Sequence, residues 1–127
     1  ISAISYGCEY TGVDPSECMN PIYHSIIQEL VPSNKRDNYK IIQNGFESAR
    51  IEANYYDLVF TSPPFFDFEL YEKDKGQSVE KFSTLDRWLS GFLFPLIDKS
   101  ALHPGNIGFC PCIFTSQYPL KIIGSFV

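Results

Sequence analysis

The sequence predicts an α/β domain built on a mostly parallel sheet, and three observations predict it. Short apolar runs alternate with longer amphipathic ones along the chain, the pattern of βαβ units. One run, Tyr56-Asp57-Leu58-Val59-Phe60, is almost continuously apolar, as a strand covered on both faces requires. Two runs end at prolines, Asp14-Pro15 and Ser62-Pro63-Pro64, where a strand has to leave its hydrogen-bonded ladder. At 127 residues the chain has length for one domain, residues 1–127, and too little for two independent cores.

Taken in order, Glu9 to Val13 reads as a first strand that stops at Asp14-Pro15-Ser16. Ser16 or Asp14 is then placed to cap a helix over Glu17 to Leu30, in which Met19, Ile22, Ile26, Ile27 and Leu30 recur at helical spacing. Pro21 falls in the first turns, where proline is tolerated. Tyr39 to Gln43 reads as a second strand with Asn44-Gly45 as the turn after it. The third strand is Tyr56 to Phe60. Residues from Phe66 to Val79 show no clear period and read as a loop over the sheet edge. Ser83-Thr84-Leu85-Asp86 resembles a helix start, and Trp88, Leu89, Phe92, Leu93, Leu96 and Ile97 give that helix an apolar face through Leu102. His103-Pro104-Gly105 ends it. Asn106 to Phe114 reads as a fourth strand interrupted by Pro111, and Tyr118 to Val127 as the start of a further helix.

Composition narrows the class of function. Hydrophobic residues make up 44% and charged residues 20%, ordinary for a soluble globular domain. No apolar run reaches the ~20 residues that span a bilayer, and no basic-then-apolar leader is visible, so neither a membrane partner nor secretion is expected. The chain begins at Ile1, which suggests that upstream sequence is missing. Cys8, Cys18, Cys110 and Cys112 lack the paired spacing of a zinc site, so buried thiols in a reducing, cytoplasmic compartment are expected, the host cytoplasm if the source is viral. A net charge of −5 provides no basic face for gripping a phosphate backbone. A nucleic-acid substrate would then be contacted through a segment outside this chain, or locally through one pocket.

Three constellations carry chemistry. Asp14 stands at the carboxyl end of a strand, where open α/β sheets bind ligands and a carboxylate can accept both hydroxyls of a ribose; a helix cap is the plainer alternative. Asn44-Gly45-Phe46-Glu47 follows the next strand and offers polar groups for the edge of an adenine and a ring for its face; a turn carrying a core phenylalanine competes. Ser62-Pro63-Pro64-Phe65 is the decisive one. The lone pair of an aromatic exocyclic amine is delocalised into its ring, so a site that alkylates it needs an acceptor for the N–H and a flat side chain to clamp the extruded base. The prolines fix φ, holding the Ser62 hydroxyl and nearby carbonyls toward one point, with Phe65 as platform.

The run Tyr56-Asp57-Leu58-Val59-Phe60-Thr61-Ser62-Pro63-Pro64-Phe65-Phe66-Asp67 resembles the fourth motif of the S-adenosylmethionine-dependent amino-methyltransferases, which act on adenine N6 or cytosine N4. The continuation through Phe68-Glu69-Leu70-Tyr71, with Gln77-Ser78, Trp88 and Phe92-Leu93-Phe94-Pro95-Leu96, is similar to a phage and bacterial DNA-methyltransferase-like group. Leu102-His103-Pro104-Gly105 resembles the Pro-Gly turn before that fold's fifth strand. The resemblance implies a Rossmann-like class I methyltransferase three-layer sandwich, incomplete at the N-terminus. It implies S-adenosylmethionine as cofactor and a nucleic acid, DNA by preference, as partner. It assigns Asp14 and Pro15 to the cofactor ribose, Gly45 and Phe46 to its adenine, and Thr61 to the cofactor side of the corner. Ser62 with the Pro63 backbone would accept the amine hydrogens, Pro64 would stiffen the corner, and Phe65 would stack on the base. No metal is implied.

Two departures stand out. The family's Gly-rich loop has no counterpart before Tyr6-Gly7, and Phe65 replaces the commoner tyrosine. The order of motifs excludes members in which the catalytic motif comes first. An RNA or protein-amide substrate, or a catalytically inactive binding module of the same fold, are the competing readings. Asp67, Glu69, Glu72 and Asp74 read as a solvated acidic loop, His24 as a helix-surface residue, and His103 as a helix C-terminal residue that interacts favourably with the dipole when protonated.

Overall fold

The computed structural model describes residues 1–63, 66, 78–103, 106–108 and 121–125. Among these a five-stranded, all-parallel sheet carries the fold, consistent with an α/β class. The strands are β1 (Glu9–Val13), β2 (Tyr39–Ile42), β3 (Leu58–Thr61), β4 (Asn106–Gly108) and β5 (Lys121–Ser125), in the spatial order β2-β1-β5-β3-β4. Before β1 lies a single helical turn, α1 (Ser2–Ser5), and α2 (Met19–Leu30) crosses from β1 to β2. A 3-10 segment, Ser33–Asn38, leads into β2; there Arg36 donates to the Val31 and Gln28 carbonyls and so ties the exit of α2 to that turn.

From β3 the chain reaches β4 through α3 (Ser78–Lys81) and a helix over residues 85–101 that is α-helical at α4 (Leu85–Trp88), π-helical at Leu89–Leu93 and α-helical again at α5 (Phe94–Ala101). Thr84 caps its start, its hydroxyl accepting the Arg87 N–H at 3.4 Å. The π segment has an identifiable cause. Pro95 has no N–H to give to the carbonyl four residues back and its ring crowds that carbonyl, so the ladder widens by one residue just before it; the Phe94 N–H reaches the Leu89 carbonyl instead.

The centre of the sheet differs from the sequence expectation. Residues 121–125, expected to lie in a helix, form β5, and β5 takes the middle position between β1 and β3. The run Lys121-Ile122-Ile123-Gly124 is too short and unpatterned to separate strand from helix, so its partners decide. Those partners act at its first residue: the Asp57 carboxylate accepts the Lys121 N–H at 2.9 Å, the Asp57 N–H donates to the Lys121 carbonyl at 2.9 Å, and the Lys121 ammonium lies 4.0 Å from the Tyr55 ring centroid.

One face of the sheet is the core. Val13, Val59 and Ile123 project from β1, β3 and β5 onto Trp88, Phe92 and Leu96 of the long helix, joined by Phe46, Ala49 and Tyr56. The valine, leucine, isoleucine and phenylalanine side chains among them each contribute roughly 1.5–3 kcal/mol by leaving water. On the opposite face Gly12 and Gly124 lie side by side in register, and the Tyr10 ring rests on both; a Cβ at Gly124 would come within 2.6 Å of the Tyr10 hydroxyl. Among the described residues no helix is long and apolar enough to cross a membrane.

Candidate functional site

β1 and β2 lie to one side of β5, β3 and β4 to the other, so the sheet reverses its direction of growth at its centre. In open α/β sheets the ligand crevice lies beyond the carboxyl ends of the strands at such a point. Val13 and Thr61 are both in register with Ser125, so Asp14 and Ser62 follow two strands that flank β5. Two interstrand steps separate those strands, about 10 Å.

At the end of β1, Asp14 is 5% exposed and each of its carboxylate oxygens accepts one local hydrogen bond. Its Oδ1 accepts the Ser16 N–H at 2.8 Å and its Oδ2 accepts the Tyr23 hydroxyl of α2 at 2.5 Å. Ser16, rather than Asp14, serves the helix start, its hydroxyl accepting the Met19 N–H at 3.3 Å. Pro15 is half-buried beside them. Burial first, then the hydrogen bond to Asp14 and its negative charge, raise the Tyr23 phenol well above the usual range. Tyr10 is raised too, by burial and then by Tyr23 and Asp14. Both phenols therefore keep their protons at neutral pH and remain donors.

After β2 the chain turns at Asn44, whose side chain accepts the Gly45 N–H at 2.8 Å. The Phe46 ring is 2% exposed and packs in the core, so it has no open face to offer a ligand. Glu47 folds its carboxylate over Gly45 and pairs with Lys81 at 3.3 Å. The turn is pinned from below by Lys99 of α5, whose ammonium donates to the carbonyls of Phe46 (3.1 Å), Glu47 (2.5 Å) and Ala49 (3.0 Å). Burial lowers the Lys99 pKa, and Glu47 opposes that shift. All three ammonium donors are used on one turn, an arrangement that no sequence pattern announces.

At the end of β3, Thr61 is 2% exposed, and among the described residues its Oγ1 has no hydrogen-bond partner. Ser62 is exposed and Pro63 half-buried. Pro64 and Phe65, together with the acidic positions 67, 69, 72 and 74, lie outside the described residues. Phe66 has φ of 40°, a left-handed conformation that costs an aromatic residue energy, and its ring meets Trp88 edge-on at 5.8 Å. Trp88 is anchored in turn by its indole N–H, which donates to Ser78 at 3.1 Å.

In the sheet's core face, the buried Tyr56 donates to Thr11 of β1 at 3.1 Å and meets the His103 ring edge-on at 5.3 Å. His103 differs from expectation. It is buried, burial lowers its pKa, and its Nδ1 has no partner among the described residues, so the imidazole is neutral and gives no charge to the helix end. His24 is exposed on α2 as expected, whereas of the cysteines Cys8 is buried and Cys18 is exposed. Among the described residues no group of three or more His, Cys, Asp and Glu side chains is placed to share a metal ion.

The carboxylate at β1 fits the ribose of a nucleoside cofactor as an acceptor of its hydroxyl hydrogens. Each carboxylate oxygen of Asp14 has one acceptor direction taken and another to spare. The residues after β2 fit its base less well, because Phe46 is enclosed and Glu47 covers Gly45. No family model, curated protein or solved structure matches the chain.

Proposed function

We propose that the chain is the cofactor- and base-binding part of an S-adenosylmethionine-dependent methyltransferase acting on an exocyclic amine of a nucleic-acid base, in DNA by preference. One observation carries the reading: a buried carboxylate, Asp14, and an exposed hydroxyl, Ser62, stand at the carboxyl ends of two parallel strands on either side of the sheet's reversal point. That is the arrangement a nucleoside cofactor and a reacting group beside it require. The resemblance of the Ser62-Pro63-Pro64-Phe65 corner to the amino-methyltransferase motif gives the chemistry.

Asp14 would hold the ribose diol, with Pro15 closing that side. When bound, S-adenosylmethionine supplies a methyl carbon whose bond to sulfur breaks with its electrons leaving on a neutral thioether. Ser62 accepts a hydrogen bond from the target amine, drawing the nitrogen toward tetrahedral geometry, and its exposed position lets the released proton pass to solvent. The rest of the catalysis is alignment and electrostatics. A net charge of −5 works against backbone contact, so on this reading the nucleic acid is held through a segment outside this chain or locally through one pocket.

The enclosure of Phe46 and the carboxylate over Gly45 favour a second reading, a methyltransferase-fold binding module without activity. Calorimetry with S-adenosylhomocysteine, followed by incubation with methyl-labelled S-adenosylmethionine and DNA or RNA, tests both. Binding with label transferred to DNA is the expected result. Binding without transfer to any polymer selects the module, transfer to RNA changes the substrate, and absence of binding removes the cofactor.

A further inference from the structure

Asp14 is held more firmly than a cofactor carboxylate has to be. A carboxylate at a strand end can rotate about its terminal torsion, and torsions of this type are broad. Here the two oxygens are tied separately, Oδ1 to the Ser16 N–H at 2.8 Å within its own turn, and Oδ2 to the Tyr23 hydroxyl at 2.5 Å from the adjoining helix. The Ser16 bond alone anchors one oxygen and leaves the group free to swing about it. The second bond comes from a different element and removes that freedom, so the plane of the carboxylate is set by α2 as well as by β1.

We propose that Tyr23 is a positioning residue, whose hydroxyl fixes the plane of the Asp14 carboxylate for two-oxygen recognition of a vicinal diol. This rests on the cofactor reading above and adds to it the residue that gives Asp14 its selectivity for ribose over deoxyribose. The chemistry is asymmetric. With both oxygens fixed, a diol satisfies the two spare acceptor directions at once, whereas a deoxyribose leaves one of them buried and unpaired. The phenol is suited to the task because burial, then its bond to Asp14, raise its pKa, so at neutral pH its O–H stays a donor to Oδ2. Tyr23 sits on the second turn of a helix that buries only Ile27, so the same hydroxyl also fastens α2 to β1. A fastening role and a positioning role predict different losses.

The experiment is calorimetry of the whole chain with S-adenosylhomocysteine and with its 2′-deoxyribose analogue, for the wild type, Tyr23→Phe, Asp14→Asn and the double variant. Tyr23→Phe keeps the ring and removes the hydroxyl that donates to Asp14. It should weaken S-adenosylhomocysteine binding about tenfold, the scale of one hydrogen bond to a charged group, while binding of the deoxy analogue changes little. In the Asp14→Asn background Tyr23→Phe should add no further loss, since the two residues act as one unit. Equal losses for both ligands, or none for either, would overturn the assignment and leave Tyr23 as a fastener of α2. A wild-type chain that binds neither compound would overturn the cofactor reading itself, and the role of Tyr23 with it.

Discussion

The carboxyl ends of β1 and β3 lie the same distance from β5 and are built in opposite ways. At β1, both oxygens of a buried carboxylate are bonded within the protein and the backbone is relaxed. At β3, a buried hydroxyl has no partner among the described residues, the next hydroxyl is exposed, and Phe66 is held at a φ of 40°. A satisfied, rigid end suits binding, where the geometry must not change between empty and occupied states. A strained, under-bonded end stores what a reacting partner can relieve, and such features gather at functional sites. On this division of labour, damage at β1 should appear in affinity and damage at β3 in turnover.

The largest test of that division is Ser62→Ala. The side chain is exposed, so its removal costs the fold little. Methyl transfer should fall by roughly two to three orders of magnitude, the usual effect of removing one polar group that acts in the transition state. On the proposed reading β1 sets the affinity for S-adenosylhomocysteine, which should not move. Single-turnover transfer of labelled methyl groups, measured alongside calorimetry, separates the two; a variant that loses affinity and turnover together would dissolve the distinction between the strand ends.

How far the sequence foretold these ends differs as well. The sequence reading of β1 as Glu9 to Val13 agrees with the strand observed, because Pro15 stops it chemically, and Thr84 caps the long helix where its residue type suggested. The exit of β3 at Ser62 was legible for the same reason, two successive prolines. What was not legible depends on partners far away in the chain. The central β5 is latched by Asp57, 64 residues before it, and its own five residues carry no period. The enclosure of Phe46 follows from Lys99 pulling three carbonyls of its turn toward α5 across about 50 positions. Tyr23 gives no signal either, since a tyrosine on an amphipathic helix reads as surface or core until its hydroxyl is seen on Asp14. Local chemistry was readable and long-range bonding was not.

A smaller effect sharpens the claim that β3 ends in strain. Replacing Phe66 removes its contact with Trp88 in every variant, so single losses say little. The comparison of Phe66→Gly with Phe66→Ala isolates the backbone. At an ordinary position glycine is the less stable of the two, because it surrenders more freedom on folding. At a φ of 40° the order should reverse, with glycine more stable by about 1 kcal/mol. Denaturant unfolding of the two variants reads the sign directly. If alanine were the more stable, Phe66 would not be strained and the contrast between the strand ends would rest on hydrogen bonding alone.

The smallest effect serves as the control, because it acts on both ends alike. His103 lies against Tyr56, which bonds Thr11 of β1 and lies two positions before β3, so its titration should load the sheet as a whole. Burial lowers its pKa in the folded chain below the ordinary value of 6.5. The unfolded chain therefore takes up a proton first as pH falls, and stability that is complete above about pH 6.5 is lost below it. One proton limits the slope to about 1.4 kcal/mol per pH unit. His103→Gln should flatten that limb of the stability curve between pH 6.5 and the range where carboxylates titrate. It should leave the ratio of ribose to deoxyribose binding unchanged at pH 7.5. A shift in that ratio would mean that the ends of β1 and β3 are coupled through Tyr56, and that neither can be assigned binding or turnover by itself.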